Sequence, residues 1–303
     1  MNASKNKLYI FGNGFDRAHA LATGYNDFRS WLKANKHDSF IERFERLYPN
    51  VKILNAKGEI EWGDLEKALG LTTAEDMIEF DQSYTDCGCV DKNMAQGSNI
   101  IAVTTTLQNL LDSWARSIDV SCAKSFLEID SDCMFLTFNY TTVLEDNYKV
   151  PKENVLHIHN SVTNPGNMII GYYDPTVGGK YIYPIETGEN AQRIRIAKVE
   201  HRRYIKYTSS CIRKNKHFFE SLKDIQEIHV FGHSLEIVDL PYIKEISQNV
   251  RMETVWNIYI YNLAKDPLKE TIINTRIRPF IKDEQAIKYL DTSEFPNHVQ
   301  PCN

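Results

Sequence analysis

The sequence lacks any run approaching the roughly 18 apolar residues of a membrane span. Met1 to Phe11 is too poor in apolar residues for a signal peptide. Its six cysteines (Cys87, Cys89, Cys122, Cys133, Cys211 and Cys302) form no C-x-x-C pair. Cys87-Gly88-Cys89 has no second cysteine pair to complete a metal site, so no metal is expected, and the pattern suits a reducing cytoplasm. Neither sign of charge dominates: 35 Lys and Arg against 40 Asp and Glu leave a formal charge of -5. A surface that binds nucleic acid as a whole is therefore not expected. There is no internal repeat, no low-complexity segment and no carboxylate cluster of the metal-dependent nuclease kind. Gly12-Asn13-Gly14 has Arg17 where a hydride-transfer fingerprint carries its third glycine, so that fingerprint is incomplete.

What is present points to an α/β chain. Met134 to Phe138 is a short apolar run, Thr141 to Lys149 carries an acidic helical pattern, and Asn154 to Ile158 returns to strand-like residues. A strand, helix, strand crossover makes the two strands parallel. Their carboxyl ends then share one edge, which brings Asn139 and His159 into one neighbourhood. Lys7 to Phe11 runs into Gly12-Asn13-Gly14-Phe15-Asp16, and Ile228 to Phe231 runs into Gly232-His233-Ser234, each followed by a helical pattern. Three apolar runs ending in small or polar residues predict one crevice at the carboxyl edge of a mainly parallel, Rossmann-like sheet, where open α/β sheets bind ligands. The amino ends of the following helices favour phosphate.

The 303 residues are read as a single α/β domain with a helical insertion at about 40–130 and a basic helical segment at about 190–220. Phe28, Trp31 and Leu32 have helical spacing, with Asp27 and Arg29 as candidate polar lining above the glycine turn. Glu59 to Leu71 reads as a helix with Trp62, Leu65, Ala68 and Leu69 on one face. Thr73 to Gly97 reads as an acidic insertion or helix-loop, and Asn99 to Phe126 as a long helix. Met168 to Tyr172 reads as a strand leading into loop chemistry at Gly178 and Gly179, Trp256 to Tyr261 as a late strand, and Glu284 to Leu290 as a last helix. Between Arg193 and Lys216 stand nine Lys or Arg and one Glu, with Tyr204 and Tyr207 interleaved. Such a stretch can bind nucleic acid or polyphosphate, but a solvated helix face is the favoured account.

Gly12-Asn13-Gly14-Phe15-Asp16, followed by Ala18-His19-Ala20-Leu21 and Tyr25-x-x-Phe28, resembles the signature of the AbiH family of phage abortive-infection proteins. That family in turn is similar to sirtuin-like NAD-binding domains, with correspondences at Phe138 to Tyr140, His157 to Asn160 and Gly232 to Asp239. The resemblance implies that the turn of Gly12, Asn13 and Gly14, running into Phe15 and Asp16, holds NAD, that Asn139 contacts the ribose and positions water, and that His159 is the catalytic histidine; Asp27 and Phe28 are further candidate NAD contacts, with helix packing the favoured account of Phe28 and Trp31. It implies further dinucleotide contacts at Gly232, His233, Ser234 and Asp239. This chain has Asn13 where sirtuins have alanine, Asn160 where they have glycine after the histidine, and no zinc-module cysteine pairs. The implied activity is therefore NAD cleavage at the nicotinamide-ribose bond in anti-phage defence, not protein deacylation.

His157, two residues before His159, is expected to matter less. Two other readings stay open at this point: a nucleotide or NAD-metabolite sensor without turnover, acting on a defence-system partner or as a homo-oligomer, and a nucleic-acid-binding effector using residues 193–216.

Overall fold

In the computed structural model, residues 6–86, 96–166, 168–174, 187–188 and 190–294 are described. Eight strands occur among them: β1 (Lys7–Phe11), β2 (Lys52–Leu54), β3 (Ile60–Trp62), β4 (Met134–Thr137), β5 (Val155–His157), β6 (Glu227–Phe231), β7 (Val255–Ile260) and β8 (Ala286–Asp291). The chain divides into two compact units. One is made of Met1–Thr23, Ala115–Met168 and Tyr207–Asn303, the other of Gly24–Trp114 and Ile169–Lys206.

The first unit is built on a six-stranded sheet in the order β5-β4-β1-β6-β7-β8. Every pairing in it is parallel. Numbered among themselves, the strands run 3-2-1-4-5-6, the order of a doubly wound dinucleotide-binding sheet. The order reverses between β1 and β6. β1, β4 and β6 are almost wholly buried, as near-continuous apolar strands in a two-sided parallel sheet must be. Tyr9, Phe11, Phe15, Phe135, Phe231 and Tyr259 belong to one core cluster, in which Phe135, Tyr9 and His229 stack across neighbouring strands. Leu240–Asn249 is the amphipathic helix after β6, burying Tyr242, Ile243 and Ile246.

Register sets the level of the carboxyl edge. Phe11 pairs with both Thr137 and Phe231, and Thr137 pairs with His157. Residues after these four leave the sheet at one height, as the strand, helix, strand reading of Met134 to Asn160 required. The helix in that crossover is short, Val143–Asp146.

The second unit corrects three sequence readings. Glu59 to Leu71 is not one helix. Residues Ile60–Trp62 pair antiparallel with Lys52–Leu54 in a hairpin turned by Asn55, whose carboxamide oxygen accepts the Lys57 and Glu59 N–H groups. The helix starts at Leu65, where Asp64 caps it by accepting the Lys67 N–H. The pattern of Trp62 with Leu65 and Leu69 imitates helical spacing although Gly63 and Asp64 interrupt it. Met168 to Tyr172 is not a strand, since Tyr172 makes only an isolated bridge with Ile205. The long helix is Ser98–Ser117, and Asn99 to Phe126 does not continue it. In the first unit, Glu284 to Leu290 is not a helix, since Ala286–Asp291 form strand β8. Its residues alternate in exposure from Ala286 to Ile287 to Lys288 to Tyr289, as on an outer strand laid against β7. Cys87-Gly88-Cys89, Gly178 and Gly179 lie outside the described residues.

Candidate functional site

The carboxyl edge of the first unit's sheet carries two buried polar clusters and a glycine turn. Gly12 ends β1 and precedes the helix Asn13–Ala18. Its N–H donates to the Phe231 carbonyl at 3.2 Å, and the Gly14 N–H donates to the Gly232 carbonyl at 2.7 Å. A Cβ at Gly14 would lie 2.6 Å from Gly232 Cα, and one on Gly232, whose φ is +67°, would lie 2.3 Å from the Phe15 nitrogen. The three glycines therefore let the β1 and β6 turns touch through their backbones. The N–H groups of Gly12 and Gly14 are spent in that contact. Asn13 is exposed beside them, its side chain donating to the Thr23 carbonyl, and Arg17 and Ser234 are exposed too.

Asp16 points inward and is 1% exposed. The Asn139 carboxamide donates to its Oδ1 at 2.9 Å, and the Thr141 hydroxyl donates to its Oδ2 at 2.7 Å. Burial pushes the Asp16 carboxyl up to about 6, and these two hydrogen bonds pull against the rise. Asn139 is fixed from behind as well, for its N–H donates to Thr137 Oγ1 and its carbonyl lies 3.0 Å from His157 Nδ1. His157 Nε2 is 2.9 Å from Glu145 Oε1. The expected bystander His157 thus braces the backbone of Asn139.

His159 belongs to the second cluster. Its Nε2 lies 3.7 Å from Asp239 Oδ1, and His233 Nε2 lies 3.5 Å from Asp239 Oδ2. The Phe138 ring stands edge-on to both imidazoles, with centroids 5.2 Å from His159 and 4.1 Å from His233, and Tyr242 packs beside Phe138 and His159. His159 is only 4% exposed. Asn160, after it, has φ +63°. It occupies the left-handed region that glycine enters freely and asparagine tolerates, so asparagine can hold this turn. Asn139 and His159 therefore leave neighbouring strands at one level, and their side chains serve different carboxylates.

The other predicted residues serve local structure. Phe15 is a core ring, 4.2 Å from Phe11 and 4.5 Å from His19 between centroids. Asp27 and Phe28 lie in the second unit. There Asp27 accepts the Gly24 N–H at 2.8 Å, at the start of helix Tyr25–Ala34, and Phe28 packs against Trp62 and Trp114. Thr141, Glu145, His157 and Tyr242 were not singled out as site residues from sequence. Thr141 directly follows Tyr140, but nothing in its spacing pairs it with a carboxylate 125 positions away.

The basic stretch is two helices, Ala191–Arg203 and Thr208–Lys214. Within the second unit Arg193 pairs with Asp81 at 2.8 Å, Lys206 with Glu66 at 2.7 Å, and Arg203 with Glu200. Arg193 and Lys206 are buried. Part of the charge expected on a solvated face is thus consumed inside. Among the described residues no group of three or more His, Cys, Asp or Glu side chains is arranged to hold a metal ion, and no helix is long and apolar enough to cross a membrane.

The family model of bacteriophage abortive infection AbiH matches residues 8–261. The chain belongs to the AbiH family. The match includes β1, the glycine turn, both clusters and β7, and leaves β8 outside it. Comparison with curated proteins gave no match, and comparison with solved structures gave none. AbiH membership assigns the chain to phage abortive infection, a defence role.

Proposed function

We propose that this AbiH protein acts in abortive infection by hydrolysing NAD at the bond between nicotinamide and ribose. The observation that carries the reading is the reversal of strand order between β1 and β6, where both strands end in glycine turns. Open parallel sheets take dinucleotides at that point. With the Gly12 and Gly14 N–H groups engaged, phosphate recognition falls to the exposed side chains of Asn13, Arg17 and Ser234 at the same edge. The resemblance of the histidine and asparagine segments to sirtuin-like domains supplies the substrate.

The chemistry asked of the chain is modest. Nicotinamide leaves neutral, the ribose carbon becomes oxocarbenium-like, and water adds to it, giving ADP-ribose, nicotinamide and one proton. Asn139, gripped by Asp16 and braced by His157, is a rigid uncharged group that can orient a ribose hydroxyl or water. His159, beside Asp239, accepts the proton. The burial of His159 favours a second reading, a nucleotide sensor that binds without turnover. The nucleic-acid reading loses support from the internal pairing of Arg193 and Lys206.

The test measures cellular NAD during phage infection in cells carrying wild type, Asn139→Ala or His159→Ala. Hydrolysis predicts a fall in NAD with wild type and steady NAD with loss of protection for both variants. Protection that survives His159→Ala with NAD unchanged overturns it.

A further inference from the structure

The resemblance puts Asp16 among the NAD contacts, yet its side chain is 1% exposed and turned inward onto Asn139 and Thr141. We infer that Asp16 is a positioning residue: it fixes the carboxamide of Asn139 so that the oxygen, an acceptor, is what the chain offers a ligand, and so selects a group that donates there, a ribose hydroxyl or a water. This rests on the reading of Asn139 as the residue that meets the ribose.

A carboxamide carries a donor and an acceptor on one carbon, and what the first of them meets decides which way the other points. An ionised carboxylate only accepts, so Asp16 Oδ1, at 2.9 Å, takes the Nδ2 end of Asn139. With its carboxyl titrating at about 6, Asp16 is ionised at pH 7.5. The opposite setting would press two acceptors together in a buried place and leave both unsatisfied. Asp16 is held against turning aside, since its other oxygen accepts the Thr141 hydroxyl at 2.7 Å and its backbone lies in the helix Asn13–Ala18, behind a glycine turn that abuts Gly232. The backbone of Asn139 is held as firmly. Its N–H donates to Thr137 Oγ1 at 3.1 Å, and its carbonyl lies 3.0 Å from His157 Nδ1. Among the described residues no group donates to Asn139 Oδ1, and this oxygen is not sealed in without a partner as Glu145 Oε2 is. It therefore opens at the carboxyl edge, two residues past the end of β4. A phosphate or carboxylate, which also only accepts, is disfavoured against it, whereas a hydroxyl or a water is favoured.

The experiment is 15N–1H NMR of the side-chain amides of the full chain at pH 7.5, the Asn139 pair identified by its loss in Asn139→Asp. In wild type one Nδ2 proton is expected downfield and slow to exchange with water, because it is held against Asp16. Two Nδ2 protons that both exchange like those of a surface amide overturn the inference. A second arm exchanges the two groups. Asn139→Asp alone sets two carboxylates face to face, and should lower the melting temperature and lose protection against phage. Adding Asp16→Asn supplies a carboxamide at position 16 that donates to the new carboxylate and accepts from Thr141, and should recover both, since an acceptor still faces the ligand. Recovered melting without recovered protection overturns the inference, because a ligand that needs a donor at position 139 would behave so. The wild-type amide signal alone decides if the double variant fails to fold. Steady NAD in infected wild-type cells would instead defeat the hydrolase reading, and the amide signal reports independently of it.

Discussion

Asp16→Asn should change how stability depends on pH more than it changes the fold. The replacement keeps the shape, and its carboxamide can accept from Asn139 and donate to the Thr141 hydroxyl, so both contacts survive. What it removes is an ionisation that burial opposes. The folded carboxyl titrates at about 6 against an ordinary value of 3.8. Because the folded pKa is the higher one, the folded state binds the extra proton between those pH values, and wild-type stability falls as pH rises through that window. At about 1.4 kcal/mol per pH unit, the interval amounts to about 3 kcal/mol. Urea unfolding of both proteins from pH 4 to pH 7.5 measures it, since groups common to the two cancel in the difference. Wild type should lose about 2.5 kcal/mol of that relative to Asp16→Asn across the range, since the unfolded carboxyl is already partly ionised at pH 4. A difference flat to within about 0.5 kcal/mol would refute the account of a buried, reluctantly ionised Asp16.

Other substitutions probe separate parts of the structure. Gly232→Ala puts a methyl 2.3 Å from the Phe15 nitrogen at a positive φ and should cost more than about 2 kcal/mol in chemical unfolding. An unchanged midpoint would deny that the β1 and β6 turns touch. Arg193→Ala leaves Asp81 buried without its guanidinium partner and should destabilise by about 3 kcal/mol, read by thermal melting, whereas a solvated arginine would cost almost nothing. Phe28→Ala opens a cavity between Trp62 and Trp114 and should cost about 3–5 kcal/mol. Loss of NAD binding with full stability would instead make Phe28 a ligand contact.

The first unit was largely legible because parallel strands buried on both faces read as plain apolar runs. Lys7 to Phe11, Met134 to Phe138 and Ile228 to Phe231 all became strands, and their glycine or asparagine ends fell on one edge. What spacing could not supply was orientation. Asn139 and His159 share a height but face different carboxylates, Asp16 and Asp239, because residues past a strand end no longer obey its alternation. Gly12 and Gly14 read as a turn that approaches a ligand, and only Gly232 across the gap shows that the chain's own backbone takes the space. Ala286 to Asp291 was misread because Ile287, Tyr289 and Leu290 fit a helix face as well as an outer strand, and pairing with β7 decides between them. The basic stretch misled through counting charges without their partners, since Asp81 and Glu66 lie more than 100 positions earlier.

The central claim is cleavage of NAD, and its product is the most direct thing to measure. Protein recovered from phage-infected cells would be given NAD labelled in the nicotinamide ring and the products followed by mass spectrometry. Wild type should release labelled nicotinamide with ADP-ribose in equal amount, and His159→Ala should release none. Intact NAD with protein from cells that survived by its protection would contradict that claim.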